Sequence, residues 1–229
     1  MTTPTPAVTP TPAAASMPAA APGVAAPPPA VRLGIHGSPH LASRIVAAAG
    51  HPESSVEYVP YEVAEPFAPL RAGATDIMIV KYDPREPDIE VGAPVCRDGR
   101  AVLVGAQHPL AARESVSIED VADYDGFQCP GDFPANVWDR VVPPHTPRGR
   151  TIRRRHPMTT VPALVDLLRN STAMHVSFQS LDAVLPADIR VVPVRDLPPS
   201  PVAFAWLRGA RLPDHVERFV GDAERAARR

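Results

Sequence analysis

Residues 93–124 read APVCRDGRAVLVGAQHPLAARESVSIEDVADY, and this run decides how the chain is read. Its segment RAVLVGAQ, residues 100–107, is nearly all apolar, the pattern of a strand buried on both faces. After His108-Pro109-Leu110-Ala111 comes SIEDVADY, where Ser117 and Asp120 stand in the spacing of a capping box at the start of a short helix. A buried strand followed by a capped helix is one step of an α/β alternation.

The same alternation extends upstream. VRLGI (31–35) is a short apolar strand, and LASRIVAAAG (41–50) places Leu41, Ile45, Val46 and Ala49 on one helical face. Ser38 is a natural N-cap for that helix, Pro39 suits its first turn and Gly50 closes it. VEYVPYEV (56–63) is a second strand whose Pro60 suits an edge position. A short helix around 66–72, with Phe67 and Leu70 inward, leads into the buried strand DIMIV (76–80). Strand, helix, strand, helix, strand in this order implies parallel pairing with right-handed crossovers.

Downstream the spacing predicts a second α/β unit. GFQC (126–129) is a strand, a helix covers about 135–142, and TIRRRH (151–156) is another strand. In the helix VPALVDLLRN (161–170), Val161, Leu164, Val165 and Leu168 hold the i, i+3, i+4, i+7 spacing of an inward face. AMHVSF, IRVVPV and PVAFAWLR are strands, and a C-terminal helix turns Val216, Phe219, Val220 and Ala223 inward.

Composition narrows the class. With 229 residues, 45% apolar, and a formal charge of −2, the chain can bury one ordinary core or two small ones. That charge offers no basic field, so direct nucleic-acid binding is not expected. Many of the 31 prolines precede Val31, in a segment without a charged residue, which reads as an extended, disordered tail over residues 1–30. No run of eighteen apolar residues occurs and the start lacks the charge and apolar run of an export signal, so no membrane span is expected and the reading is cytoplasmic. In that compartment Cys96 and Cys129 are expected to be reduced.

Taken with its flanks, the run at 93–124 resembles a segment of the effector-binding domain of LysR-type transcriptional regulators. The resemblance is carried by VRLGIHGSP (31–39), LRAGATDIMIV (70–80), AVLVGAQHPLAARESVSIEDVADY (101–124), MTTVPALVDLLRNSTAMHVS (158–177) and IRVVPVRDLPPSPVAFAWLRG (189–209). His108-Pro109-Leu110-Ala111 is its most specific piece. It implies an α/β fold of the type 2 periplasmic-binding-protein kind: two Rossmann-like lobes joined by two crossover strands, with a small ligand held between them. Lobe I is expected to cover 31–98 plus 200–229 and lobe II 99–199, with crossovers near Gly99–Leu103 and Ser200–Phe204. Two departures stand out: Asn170-Ser171-Thr172 replaces the family's glycine-rich turn, and the tail occupies the place of the family's helix-turn-helix.

In open α/β sheets ligands sit beyond the carboxyl ends of strands, where helix N-termini favour anions. Three segments are expected to reach that place. Gly37, Ser38 and Pro39 form the first, with Ser38 either capping its helix or donating to a ligand. The second holds Cys129, Gly131 and Asp132, with Asp132 as a candidate cap for the next helix. In the third, Thr160 is the better helix cap, which leaves Thr159 to contact ligand. The expected ligand is a carboxylate or other polar metabolite, with no cofactor. His36 and His40 have a spacing a metal could use, but no third ligand lies nearby, so no metal is expected.

Arg148, Arg150, Arg153, Arg154 and Arg155 form a dense basic run, expected to be a solvated edge paired with nearby acids, with Arg153 and Arg155 on one face and Arg154 on the other. The leading function is therefore ligand binding by a sensor without its own DNA-binding module. An enzyme of dehydratase or cyclase type, using His36, His40, Asp132 or Cys129, is the alternative. A further alternative is a truncated regulator acting by dimerising with a full-length LysR-type protein, and homodimerisation is also open.

Overall fold

The structure, a computed structural model, describes residues 29–36, 39–183 and 185–229; the expected tail before residue 29 and the candidate residues Gly37 and Ser38 lie outside the described residues. The first third of the chain runs β1 (Val31–Ile35), α1 (His40–Ala48), β2 (Val56–Pro60), α2 (Ala68–Arg71) and β3 (Ile77–Lys81). β1 pairs in parallel with β2 and with β3, as strands linked by crossover helices must. β2 lies at the sheet edge, so the N–H that Pro60 lacks costs the sheet little.

Two longer strands, β4 (Ile89–Asp98) and β10 (Ser200–Leu207), run antiparallel to each other, and β10 also pairs antiparallel with β3. The resulting five-stranded order is β2-β1-β3-β10-β4. The C-terminal helix α6 (Asp214–Ala226) buries Val216, Phe219, Val220 and Ala223, the face its periodicity predicts. These residues share a core with Leu33, Ile45, Ile77 and Phe204. A smaller cluster forms where Phe67 and Leu70 meet Met78, Val80 and Ala205.

The second lobe contains β5 (Arg100–Gly105), α3 (Ile118–Val121), β6 (Asp125–Phe127), α4 (Ala135–Val141), β7 (Arg153–His156), α5 (Val161–Asn170), β8 (His175–Phe178) and β9 (Ile189–Pro193). β5 is the middle strand of the antiparallel order β8-β5-β9, and all six of its residues are buried. β6 and β7 form a separate parallel pair. This lobe has its own core around Val102, Leu103, Phe127, Trp138, Leu168 and Met174.

Two neighbouring passages join the lobes. Only Gly99 separates the end of β4 from the start of β5. On the return, Val194 N–H donates to Arg100 O at 2.9 Å, and Ser200 opens β10 opposite Asp98. The two connections lie side by side.

The opening run owes its shape to contacts that its sequence only partly announces. His108 is buried; its Nδ1 accepts from Leu110 N–H at 3.1 Å, which makes Nε2 the protonated nitrogen, and Nε2 donates to Thr172 O at 3.2 Å. The imidazole thus pins the segment after β5 to the turn after α5. Burial pushes its pKa down, so it stays neutral and keeps both bonds. Ser117 and Asp120 form the expected capping box: the Ser117 hydroxyl accepts from Glu119 N–H at 3.1 Å and Asp120 accepts from Ser117 N–H at 2.9 Å. Gly105 is required by close approach, because a Cβ there would stand 2.3 Å from Leu168 O of α5.

The structure revises three local expectations. Val161, expected inward with Leu164, Val165 and Leu168, is 48% exposed while the other three are buried. It stands in the first turn of α5, where the chain leaves the core for the cleft. Asp132 does not cap α4, which begins at Ala135 with Pro134 at the cap position. Helix α1 starts at His40, with Pro39 at its cap position. The arginine run is the paired edge its alternation predicts: Arg153 and Arg155 both reach Asp125, and Arg154 on the opposite face reaches Asp139.

Candidate functional site

β1 and β3 end side by side, and the residues at their carboxyl ends, Ile35, His36, Val80 and Lys81, face the second lobe across a cavity of about 230 Å³. This is where parallel α/β sheets leave room for a ligand, because the loops on either side of a strand end diverge. The second lobe contributes Leu103 of β5, Phe133, Trp138 and Val141 around α4, and His175, Ser177 and Phe178 of β8. The walls are mainly hydrocarbon, with few polar groups set among them, as in small-molecule sites generally.

Three clusters of polar contacts hold the lobes in register around this space. In the first, Lys81 Nζ donates to Asp98 Oδ2 at 2.7 Å while Ser180 Oγ donates to the same oxygen at 2.6 Å. It ties β3 of the first lobe to the end of β4 and to the turn after β8. The ammonium also lies 3.7 Å over the Phe178 ring. Its burial pushes the Lys81 pKa down and Asp98 opposes that shift. The pair sits where the two lobes meet.

The second cluster centres on Arg100, which is 2% exposed. Its guanidinium donates to Ser177 O at 3.2 Å, to Arg140 O and to the Tyr82 hydroxyl, both at 3.0 Å, and to Val141 O. A cation against the last carbonyls of α4 complements the negative end of that helix. Tyr82, in the left-handed region at φ 68°, carries its hydroxyl from the end of β3 to this arginine. Such a backbone costs on the order of 1–3 kcal/mol and persists only where surrounding contacts hold it.

The third cluster closes the mouth. Asp132 N–H donates to Ala64 O at 2.8 Å, and Asn136 Nδ2 donates to Asp83 O at 3.1 Å. Gly131 has φ 42°, and a Cβ on it would lie 2.8 Å from Ala64 O. Only glycine lets the loop before α4 approach the first lobe this closely.

The candidate residues therefore divide. Thr159 and Thr160 line the cavity together, and Thr160 Oγ1 also caps α5 by accepting from Ala163 N–H at 3.3 Å. Gly131 and Asp132 are at the closed mouth, outside the lining, as is Cys129, whose Sγ donates to Phe133 O at 3.3 Å. Pro39 is also outside the lining, although Leu41 and Ala42 of α1 are within it. Cys96 and Cys129 are free thiols, and burial pushes both pKa values up.

Sequence reasoning did not single out Lys81, Trp138, His175 or Ser177. One signal was available for the last two: HVSF is a strand buried along its whole length, and polar residues in such a strand need a reason. His175 is 7% exposed and Trp138 is 3% exposed, with their rings stacked at 5.8 Å. Burial pushes the His175 pKa to about 3, so the imidazole is neutral. His175 Nδ1 and Trp138 Nε1 are buried without a hydrogen-bond partner.

The profile of the family described as "LysR substrate binding domain" matches residues 25–228. No curated protein matches the chain. Among solved structures, full-length CbnR complexed with its target DNA is similar at 16% identity and a TM-score of 0.65, over 87% of this chain and 71% of that one. The effector-binding domain of QuiR in complex with shikimate is similar at 19% identity and a TM-score of 0.62, over 86% and 96% of the two chains. The regulatory domain of Synechocystis PCC6803 CcmR in complex with 2-PG gives 15% identity and a TM-score of 0.61, over 86% and 96%. At these identities the likeness is one of fold, that of the type 2 periplasmic-binding proteins.

Proposed function

The chain belongs to the LysR substrate-binding domain family, and from that premise we propose that it binds a small molecule in the cavity between its lobes and converts occupancy into a change of the angle between them. The observation that carries this reading is the cavity at the carboxyl ends of β1 and β3, lined from both lobes. A ligand there touches both lobes at once, so it stabilises the closed arrangement over the open one by its differential contacts.

In this reading one moving body comprises residues 31–98 and 200–229 and the other 99–199. The division of strands between the sheets and the separate cores support those bounds. Gly99 and the 194–200 return are the flexing points, and the 93–124 run enters the second lobe as the first connection. The output passes to a partner: a second copy of the chain, or a LysR-type regulator whose DNA-binding state follows the lobe angle.

The test is thermal unfolding of the full chain with a panel of small organic acids and alcohols, shikimate included. A ligand at a hundred times its Kd adds about 2.7 kcal/mol. For a protein of this size that raises Tm by roughly 5–11 °C. If no member of a broad panel moves the transition, and the cavity is found collapsed in crystals grown with that panel, the reading is wrong.

A further inference from the structure

One wall of the cavity carries two polar side chains with no ion-pair or side-chain hydrogen-bond partner among the described residues. His175 and Ser177 stand two residues apart on β8, hence on the same face of the strand, and both line the cavity next to Trp138. Among the described residues the His175 side chain makes no hydrogen bond, and because its Nδ1 is sealed from the cavity, Nε2 is the ring nitrogen left to it. Trp138 Nε1 is sealed as well, so Trp138 meets the cavity with its ring. Leaving a buried polar group unsatisfied costs about 1–3 kcal/mol. An incoming hydrogen-bonding group that pairs with Nε2 and the Ser177 hydroxyl removes that cost for both.

Among the described residues, the rest of the lining offers no free positive charge to an anion. Lys81 is the lysine of the cavity, and its ammonium is already bonded to Asp98 at 2.7 Å and covered by the Phe178 ring. Arg100, close by, spends its donors on carbonyl oxygens and the Tyr82 hydroxyl. His36 Nδ1 is 3.3 Å from Tyr61 O, a contact that the neutral ring makes as donor. Glu62 lines the space as well. Around the polar wall stand Leu41, Phe67, Val80, Leu103, Phe133 and Phe178. An ionised carboxylate brought among these side chains loses its hydration, at several kcal/mol, without gaining a counter-charge.

We infer that the ligand of this cavity is an uncharged, largely apolar, ring-sized molecule carrying one hydroxyl or carbonyl group, and that His175 Nε2 and the Ser177 hydroxyl form the subsite that receives that group. This rests on the cleft-binding reading above and narrows it. The Nε2 of a neutral imidazole donates or accepts according to its tautomer, and the serine hydroxyl can act either way. That set matches a group able to donate and accept at one atom, such as a phenolic hydroxyl. The stacked rings of Trp138 and His175 provide a flat surface for its aromatic body.

Three probes with one carbon frame separate the possibilities: 2-naphthol, 2-naphthoate and naphthalene. Binding is measured with the full chain at pH 7.5 by quenching of Trp138 fluorescence in the Trp206→Phe variant, and by calorimetry on the unaltered protein. The expected result is that 2-naphthol binds at least tenfold more tightly than either of the others. In His175→Phe and, independently, Ser177→Ala, its advantage over naphthalene is expected to shrink at least threefold. Two variants guard against a folding defect in one, and the melting curve of each is recorded. Naphthoate binding as tightly as naphthol, or an advantage that survives both variants, overturns the inference. Failure of all three probes also overturns it; a melting shift with the polar-acid panel in the same protein then keeps the cleft reading alive, and absence of that shift ends both.

Discussion

Acid sensitivity gives the sharpest test of how His175 is held. Its pKa lies near 3 in the folded protein because burial penalises the imidazolium, against about 6.5 in the unfolded chain. At pH 7.5 both states hold the ring neutral. As pH falls below 6.5 the unfolded chain takes up a proton that the folded protein refuses, so stability falls with pH down to about 3. Between pH 7.5 and pH 5 the loss from this one group is about 2 kcal/mol, at 1.36 kcal/mol for each pH unit of unmatched protonation. Carboxylates and other histidines contribute as well, so the useful quantity is a difference of differences. His175→Phe keeps an aromatic ring beside Trp138 and removes the titration. Urea unfolding of both proteins at the two pH values is the assay, and the unaltered protein is expected to lose about 2 kcal/mol more than the variant. Equal losses refute the argument, since they mean that His175 is protonated or solvated in the folded state.

Other perturbations probe the remaining parts of the design. Gly131→Ala places a Cβ 2.8 Å from Ala64 O, so the mouth contact opens; small-angle scattering is expected to show a larger radius of gyration and the ligand Kd to rise, and unchanged scattering would contradict the closed-mouth account. Gly105→Ala forces β5 and α5 apart at Leu168 O, with a loss of about 1–3 kcal/mol in denaturant unfolding, whereas a neutral effect would mean that α5 shifts freely. Phe219→Ala empties the core of α6 against Phe204, for which calorimetry is expected to show about 3–5 kcal/mol of lost stability. Arg100→Leu removes the donor that the carbonyls of Arg140 and Val141 share; about 3–5 kcal/mol is expected to be lost, and under about 1 kcal/mol would show that water replaces the guanidinium.

What could be read without coordinates was whatever depends on a residue and its near neighbours in sequence. The inward face of α6, the burial of β5, the capping box at Ser117, the edge place of β2 and the two faces of the arginine run are all of this kind. Period, cap chemistry and proline's missing N–H act over a few residues, so they leave their mark locally. The resemblance carried by His108-Pro109-Leu110-Ala111 extended that reading to a two-lobed fold. It did not say what His108 does, because its partner Thr172 is 64 residues away.

The cavity was legible only in part, and the reason is physical. Thr159 and Thr160 were found because a hydroxyl before an amphipathic helix is a local signal. Trp138, His175, Ser177 and Lys81 come from α4, β8 and β3, and nothing in their own neighbourhoods announces that three elements converge. Val161 looked like a core residue because it keeps the helical period, yet the first turn of α5 faces the cleft. Thus the sequence by itself determined most of the elements, though not β4, most of their inward faces, though not that of Val161, and the family to which the chain belongs. Only the tertiary structure decided which polar atoms were buried without partners, that Lys81 is taken by Asp98, and that Gly131 closes the mouth. Those are distances between residues far apart in the chain, and they follow from how the separately packed cores of the two sheets meet.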